Sequence, residues 1–170
     1  TKNEKLLVPL VKQFHFSTKL AHFLKSLRSD FIKEALRDTF YNIYMDELYK
    51  EHILDHYRNP RNKGALEKFD IKQDGENPSC GDTLVLYVLF DDNERVAAAS
   101  FQGNGCAISQ AGASLLTEKI KGMTRGELEK ISPSDIYELF GVSIGPAREP
   151  CALLAYRALK EGLTQENKKK

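Results

Sequence analysis

The sequence predicts an α+β protein: an antiparallel sheet of about three strands between helical segments, behind a helical N-terminal extension. Two observations point there. Extended, turn-bounded apolar runs fill the middle of the chain, and apolar residues at three- and four-residue steps fill the stretches on either side. A third observation divides the chain by charge. Thr1 to Tyr44 holds eight Lys or Arg against four acids, net +4, so the total of +1 leaves Met45 to Lys170 at −3 (1 minus 4). The reading is therefore an extension over 1–44, a domain over 45–163 and a frayed basic tail over 164–170.

In the extension, Leu20, Phe23, Leu24, Leu27, Phe31, Leu36 and Phe40 make an amphipathic stripe behind Ser17 or Thr18 as cap. Its apolar face is expected to pack on the main domain or on a second copy of the chain, giving a homo-oligomer. A partner-docking arm is the alternative, and no chemistry is visible there. A second helix is expected from Asp46 to Tyr57, with Leu48, Ile53, Leu54 and Tyr57 on one side. It stops at Asn59-Pro60, because proline opposes helical geometry in the residue before it. Extended segments follow at Phe69 to Lys72, Asp82 to Phe90 and Arg95 to Gln102, with Asp91-Asp92-Asn93 as a turn. Helical spacing returns through Ile108, Ala111, Leu115, Leu116 and Ile120 and ends at Gly122. Shorter helices are expected over Arg125 to Ile131 and Ser134 to Phe140. A last one runs from near Cys151 to about Leu163.

Composition narrows the function. The chain has 170 residues, 41% of them hydrophobic, enough for one core. With 25 basic against 24 acidic residues it shows no nucleic-acid footprint. Apolar runs such as Thr83 to Phe90 stop well short of the ~20 residues a membrane span needs. Three cysteines do not suit a secreted disulfide framework, so a reducing, cytoplasmic setting is expected. Residues 1–29 are basic with one acid, Glu4, which keeps an organellar matrix as the alternative. There is no Ser-His-Asp set, paired-carboxylate motif or phosphate-binding glycine loop to support a hydrolase or a nucleotide-dependent enzyme.

Chemistry concentrates at the cysteines. Cys80 and Asp82 lie two apart at the entrance to an expected strand, where they point to the same face, and Gly81 lets the chain turn closely between them. Cys106 follows Gly103-Asn104-Gly105 and precedes a helix; Cys151 follows Pro150 at the start of another. Both thiols are expected to ionise readily near a helix N-terminus. Three thiolates and one carboxylate can close a tetrahedral zinc site or hold a small iron–sulfur cluster, and the harder oxygen ligand favours exchange over storage. Three unrelated buried cysteines are the plain alternative.

At these residues the chain resembles the iron–sulfur cluster assembly scaffold family, the IscU/SufU type also found at the N-terminus of NifU. The matching segments are Tyr49 to Asn62 (YKEHILDHYRNPRN), Asn77 to Asp82 (NPSCGD), Phe101 to Ser114 (FQGNGCAISQAGAS) and Pro150 to Leu159 (PCALLAYRAL). The resemblance implies a small antiparallel sheet with helices over one face. It implies that Cys80, Asp82, Cys106 and Cys151 hold zinc, iron or a transient [2Fe-2S] cluster. It also implies a cysteine desulfurase as sulfur donor and iron–sulfur acceptor or carrier proteins downstream. Cys80 is the expected persulfide acceptor, because its glycine-flanked loop has the most backbone freedom, and Cys151 is the rival.

The chain departs from the IscU pattern at Pro150, where that branch carries a histidine, and Ile144 to Arg148 (IGPAR) only partly matches its proline-rich chaperone segment. The segments around Cys106 and Cys151 look more like the SufU branch, yet the step between them is too short for that branch's usual insertion. A zinc-dependent sulfurtransferase that activates a desulfurase without building a cluster is thus the second reading, and a purely structural zinc protein the third. Arg148 is a candidate stabiliser of a thiolate or persulfide. His52 and His56, four apart on a helix, read as surface or packing residues. Arg58, Arg61 and Lys63 read either as a desulfurase-docking cluster or as a solvated loop.

Overall fold

The computed structural model describes residues 49–168, so the extension expected over 1–44 lies outside the described residues. The three extended segments pair in sequence order as an antiparallel meander: β1 (Ile71–Asn77), β2 (Asp82–Phe90) and β3 (Val96–Asn104). β2 has the expected bounds. β1 is longer than Phe69 to Lys72 suggested, because the ladder runs on from Ile71↔Val88 to Asn77↔Asp82 through the polar residues Gln73 to Glu76. Gly75 belongs to this stretch for a steric reason: a Cβ there would lie 3.3 Å from the Ala158 Cβ of the helix crossing it. β3 pairs with β2 through Leu84↔Gly103, Leu86↔Phe101 and Val88↔Ala99, with an irregularity at Leu89/Phe90.

The helices are α1 (residues 49–58), α2 (Ala107–Lys119), α3 (Arg125–Lys130), α4 (Pro133–Phe140), α5 (Glu149–Ala152) and α6 (Leu154–Asn167). Alternation along the strands sends Ile71, Leu84, Leu86, Val88, Ala99 and Phe101 to one face, where all are buried in the core with Leu116, Phe140 and Leu159. α2 packs on β3 and α6 on β1 and β2, so the helices cover that face. Lys72, Asp74, Glu76, Thr83 and Gln102 stay exposed on the other, where Phe69 meets Tyr87 edge to face at 5.5 Å.

Local chemistry sets the helix boundaries. Thr124 and Ser132 each form a reciprocal capping box, with Glu127 and Asp135, so α4 starts at Pro133 behind a serine cap. The single helix expected from Cys151 is instead two, separated at Leu153. α6 also runs on to Asn167, past the expected end near Leu163 and into the expected tail. The reason is a set of contacts to α3: Arg125 grips both carboxylate oxygens of Glu166, and Asn167 Nδ2 donates to Glu129 Oε1 at 3.1 Å.

The segment after α1 is anchored to α2. Ser114 Oγ accepts the Arg61 amide at 2.8 Å and also bonds His56 Nδ1 at 2.8 Å, while Lys63 Nζ donates to Gln110 Oε1 at 3.0 Å. The Arg61 main chain and the exposed Lys63 side chain thus tether this loop to α2. His56 is buried between helices, with its pKa lowered by that burial, and its ring meets His52 edge-on at 4.6 Å.

Gly103 and Gly64 both take left-handed φ, +138° and +146°, but a Cβ on Gly103 would meet the Thr83 carbonyl oxygen at 2.1 Å whereas one on Gly64 meets open space. Gly103→Ala should therefore cost about 2–3 kcal/mol, and Gly64→Ala, which bears only the backbone strain, about 1 kcal/mol. Urea midpoints of the two variants check the ranking.

Candidate metal centre

The site is assembled at one end of the sheet. The β1–β2 ladder ends on Asn77↔Asp82, and the four intervening residues, Pro78 to Gly81, form the turn. The Cys80 amide donates to the Asn77 carbonyl at 3.2 Å, and Gly81 closes the turn at φ +68°. Asp82 shares its face with Leu84 and Leu86, so the pleat aims its carboxylate inward, and it is 2% exposed. Cys80 stands exposed on the turn.

The β3–α2 junction supplies the next part. Cys106 occupies the N-cap position of α2, as expected, and its side chain makes no capping bond. Its amide donates to Asp82 Oδ1 at 2.9 Å. Gly105 permits this approach, since a Cβ there would crowd Asp82 Cβ and Cγ at 3.0 Å and Ser109 Oγ at 2.4 Å. Cys151 arrives from α5 and is buried at 1% exposure, its thiol 3.3 Å from Cys80 Sγ. The ligand atoms of Cys80, Asp82 and Cys151 all lie within 4.8 Å of one another. Cys106 is outside that group but neighbours Cys151 closely enough to interact with its thiol. Arg148 Nη1 lies 4.0 Å from Cys80 Sγ. The Arg148 cation is favoured by a hydrogen bond to Cys151 and by the charges of Cys106, Cys80 and Cys151.

The electrostatics of Cys151 run opposite to the expectation of ready ionisation. Burial is the main cause, the neighbouring Cys80, Cys106 and Asp82 side chains add to it, and together they push its thiol up to about 12. The cause is positional: α5 has only four residues and Cys151 sits inside it, so the helix offers little dipole against desolvation.

The donor set fits a metal ion. Asp82 Oδ2 is buried with no hydrogen-bond partner, an arrangement that is costly unless a cation fills it. Two sulfurs beside that oxygen are the ligand types for zinc or iron. Among the described residues this is the one cluster of His, Cys, Asp and Glu with metal-ligand geometry. Sequence reasoning missed Asn77, which is buried and donates from Nδ2 to Cys151 Sγ at 3.2 Å. Its place two residues before Ser79-Cys80 was visible, but its reach to a sulfur 74 positions away was not.

Comparison with known proteins follows the same outline. The profile of the NifU-like N terminal domain matches residues 48–170. The zinc-dependent sulfurtransferase SufU of Bacillus subtilis strain 168 is 41% identical over 143 residues, covering 74% of this chain and 96% of that protein. The iron–sulfur cluster assembly scaffold protein IscU of Haemophilus influenzae is 36% identical over 118 residues, covering 68% and 92%. The crystal structure of a candidate iron–sulfur cluster assembly scaffold for the SUF system, from Fervidobacterium islandicum AW-1, superposes with a TM-score of 0.59 at 30% identity. It covers 66% of this chain and 94% of its own.

Because folding raises the Cys151 thiol from about 9 to about 12, the neutral form is favoured in the folded state. That stability is complete below pH 9 and is lost as pH rises toward 12. The metal-free protein should show a urea midpoint that falls across that window, with a shallower fall in Cys151→Ala.

Proposed function

The chain belongs to the family of NifU-like N-terminal domains, and from that premise we propose that it accepts sulfur and holds metal for iron–sulfur cluster assembly. Cys80, Asp82, Cys106 and Cys151 hold zinc or iron at rest and a transient [2Fe-2S] cluster as cargo. The observation that carries this reading is the buried, unpartnered Asp82 Oδ2 beside two cysteine sulfurs. Bound metal supplies Lewis acidity and keeps its thiolate ligands deprotonated.

Sulfur arrives as the persulfide of a cysteine desulfurase. The Cys80 thiolate attacks the outer sulfur of that persulfide; the donor's S–S bond breaks, the desulfurase cysteine leaves as a thiolate, and a new S–S bond leaves the persulfide on Cys80. The exchange is redox-neutral. Exposure supports Cys80 as acceptor, while Cys151 is buried. Arg148, 4.0 Å from Cys80 Sγ, offsets the negative charge of the thiolate and then of the persulfide. Finished clusters pass to acceptor or carrier proteins. Three free cysteines suit a reducing compartment, the cytoplasm or an organellar matrix. No helix among the described residues is long and apolar enough to cross a membrane.

A second reading is favoured by the 41% identity to a zinc-dependent sulfurtransferase and by proline, not histidine, before Cys151. In it the protein takes sulfur from the desulfurase without building a cluster. Anaerobic reconstitution with iron, a desulfurase and cysteine separates the two. The scaffold reading expects a sulfide-to-iron charge-transfer spectrum with matching iron and sulfide, longer-lived in Asp82→Ala, where the exchangeable oxygen ligand is gone. Retained zinc, no cluster and faster desulfurase turnover support sulfur transfer, and absence of persulfide on every cysteine in both settings sinks both.

A further inference from the structure

Cys80 and Cys151 offer the same functional group 3.3 Å apart, yet only one of them is held by a buried amide. Asn77 is 4% exposed, and its Nδ2 donates to Cys151 Sγ at 3.2 Å. Its own position is fixed twice by the backbone. It closes the β1–β2 ladder opposite Asp82, and its carbonyl accepts the Cys80 amide at 3.2 Å. One residue thus grips the turn carrying Cys80 through its main chain and the sulfur of Cys151 through its side chain. Cys80 Sγ faces the Cys151 thiol and, from the protein's N–H groups, only the exposed Arg148 guanidinium, at the outer limit for a bond to sulfur.

We propose that Asn77 is a positioning residue that keeps Cys151 as the retained thiolate of the metal centre and so leaves Cys80 as the thiolate that exchanges and takes up sulfur. The inference rests on the metal-centre reading above. An amide N–H on a thiolate withdraws electron density from the sulfur and stabilises the anion where it stands, making it a poorer nucleophile. Burial adds a second restraint, since a departing Cys151 sulfur would leave the Asn77 N–H without an acceptor. Neither restraint acts on Cys80, whose side chain faces solvent.

Cobalt(II)-loaded full-length protein provides the test, with a small alkylating agent and mass mapping of each cysteine. Wild type should be alkylated first at Cys80. In Asn77→Ala the ratio of Cys151 to Cys80 alkylation should rise about tenfold or more, the factor that a hydrogen bond to a charged group supports. The sulfur-to-cobalt charge-transfer band should move to lower energy, with the tetrahedral ligand-field bands retained. Asn77→Leu keeps the branched shape and the number of side-chain heavy atoms without a donor, so it should reproduce both changes; this separates the lost N–H from an empty cavity. A band position and an alkylation ratio unchanged from wild type in both variants overturn the role of Asn77. A wild-type protein with no sulfur-to-cobalt band would instead remove the metal-centre reading, and the inference with it.

Discussion

The hydrogen bond from the Cys106 amide to Asp82 Oδ1 is the contact on which the site depends. It joins the hairpin end that carries Cys80 to the junction between the last strand and α2, two places that sequence alone leaves unconnected. It also divides the labour of one carboxylate. One oxygen is committed to the amide at a helix N-terminus, where the dipole favours negative charge; the other is left facing the thiols. The closeness this needs is set by Gly105, whose missing side chain is the space that Asp82 and Ser109 occupy.

Around that bond the site is balanced between two charge states. Empty of metal, it favours a neutral Cys151 because desolvation outweighs what a four-residue helix can offer. A metal ion bound through Cys151 would have to expel that proton, which would link affinity to acidity. Arg148 offsets the anionic sulfurs from the solvent side without closing the site, since it is exposed.

Much of the fold was legible because its signals are local. β2 is a nearly continuous apolar run, and its bounds followed from composition. The capping residues Thr124 and Ser132 announce α3 and α4. The sequence misled wherever a distant partner overrides local preference. Gln73 to Glu76 lie beyond the expected end of the first strand at Lys72, yet pairing with β2 and the passage of Ala158 over Gly75 make them strand. The end of α6 is held by Arg125 and Glu129, which no helix rule places there. At the site, the candidate ligands could be named from motifs, and Cys80, Asp82 and Cys151 do meet, with Cys106 outside that group. The acidity of Cys151 could not be read, because it depends on how deeply the fold buries it. The role of Asn77 was hidden for the same reason, as its acceptor comes from the far end of the domain.

The anchoring of residues 62–64 against β3 has a consequence for solubility. The Phe101 amide donates to the Asn62 carbonyl at 3.1 Å and its carbonyl accepts the Gly64 amide at 2.8 Å, while Val96 exchanges bonds with Met123 and Gly122 at the other end. The outer edge of β3, which would otherwise template an incoming strand from another molecule, is thus occupied at both ends by the chain itself. β1 forms the opposite border and carries Lys72, Asp74 and Glu76, charges that discourage a flat, apolar strand from docking. A three-stranded sheet this small is therefore protected from sheet-to-sheet aggregation at both borders, even though the end that carries Cys80 is open to solvent.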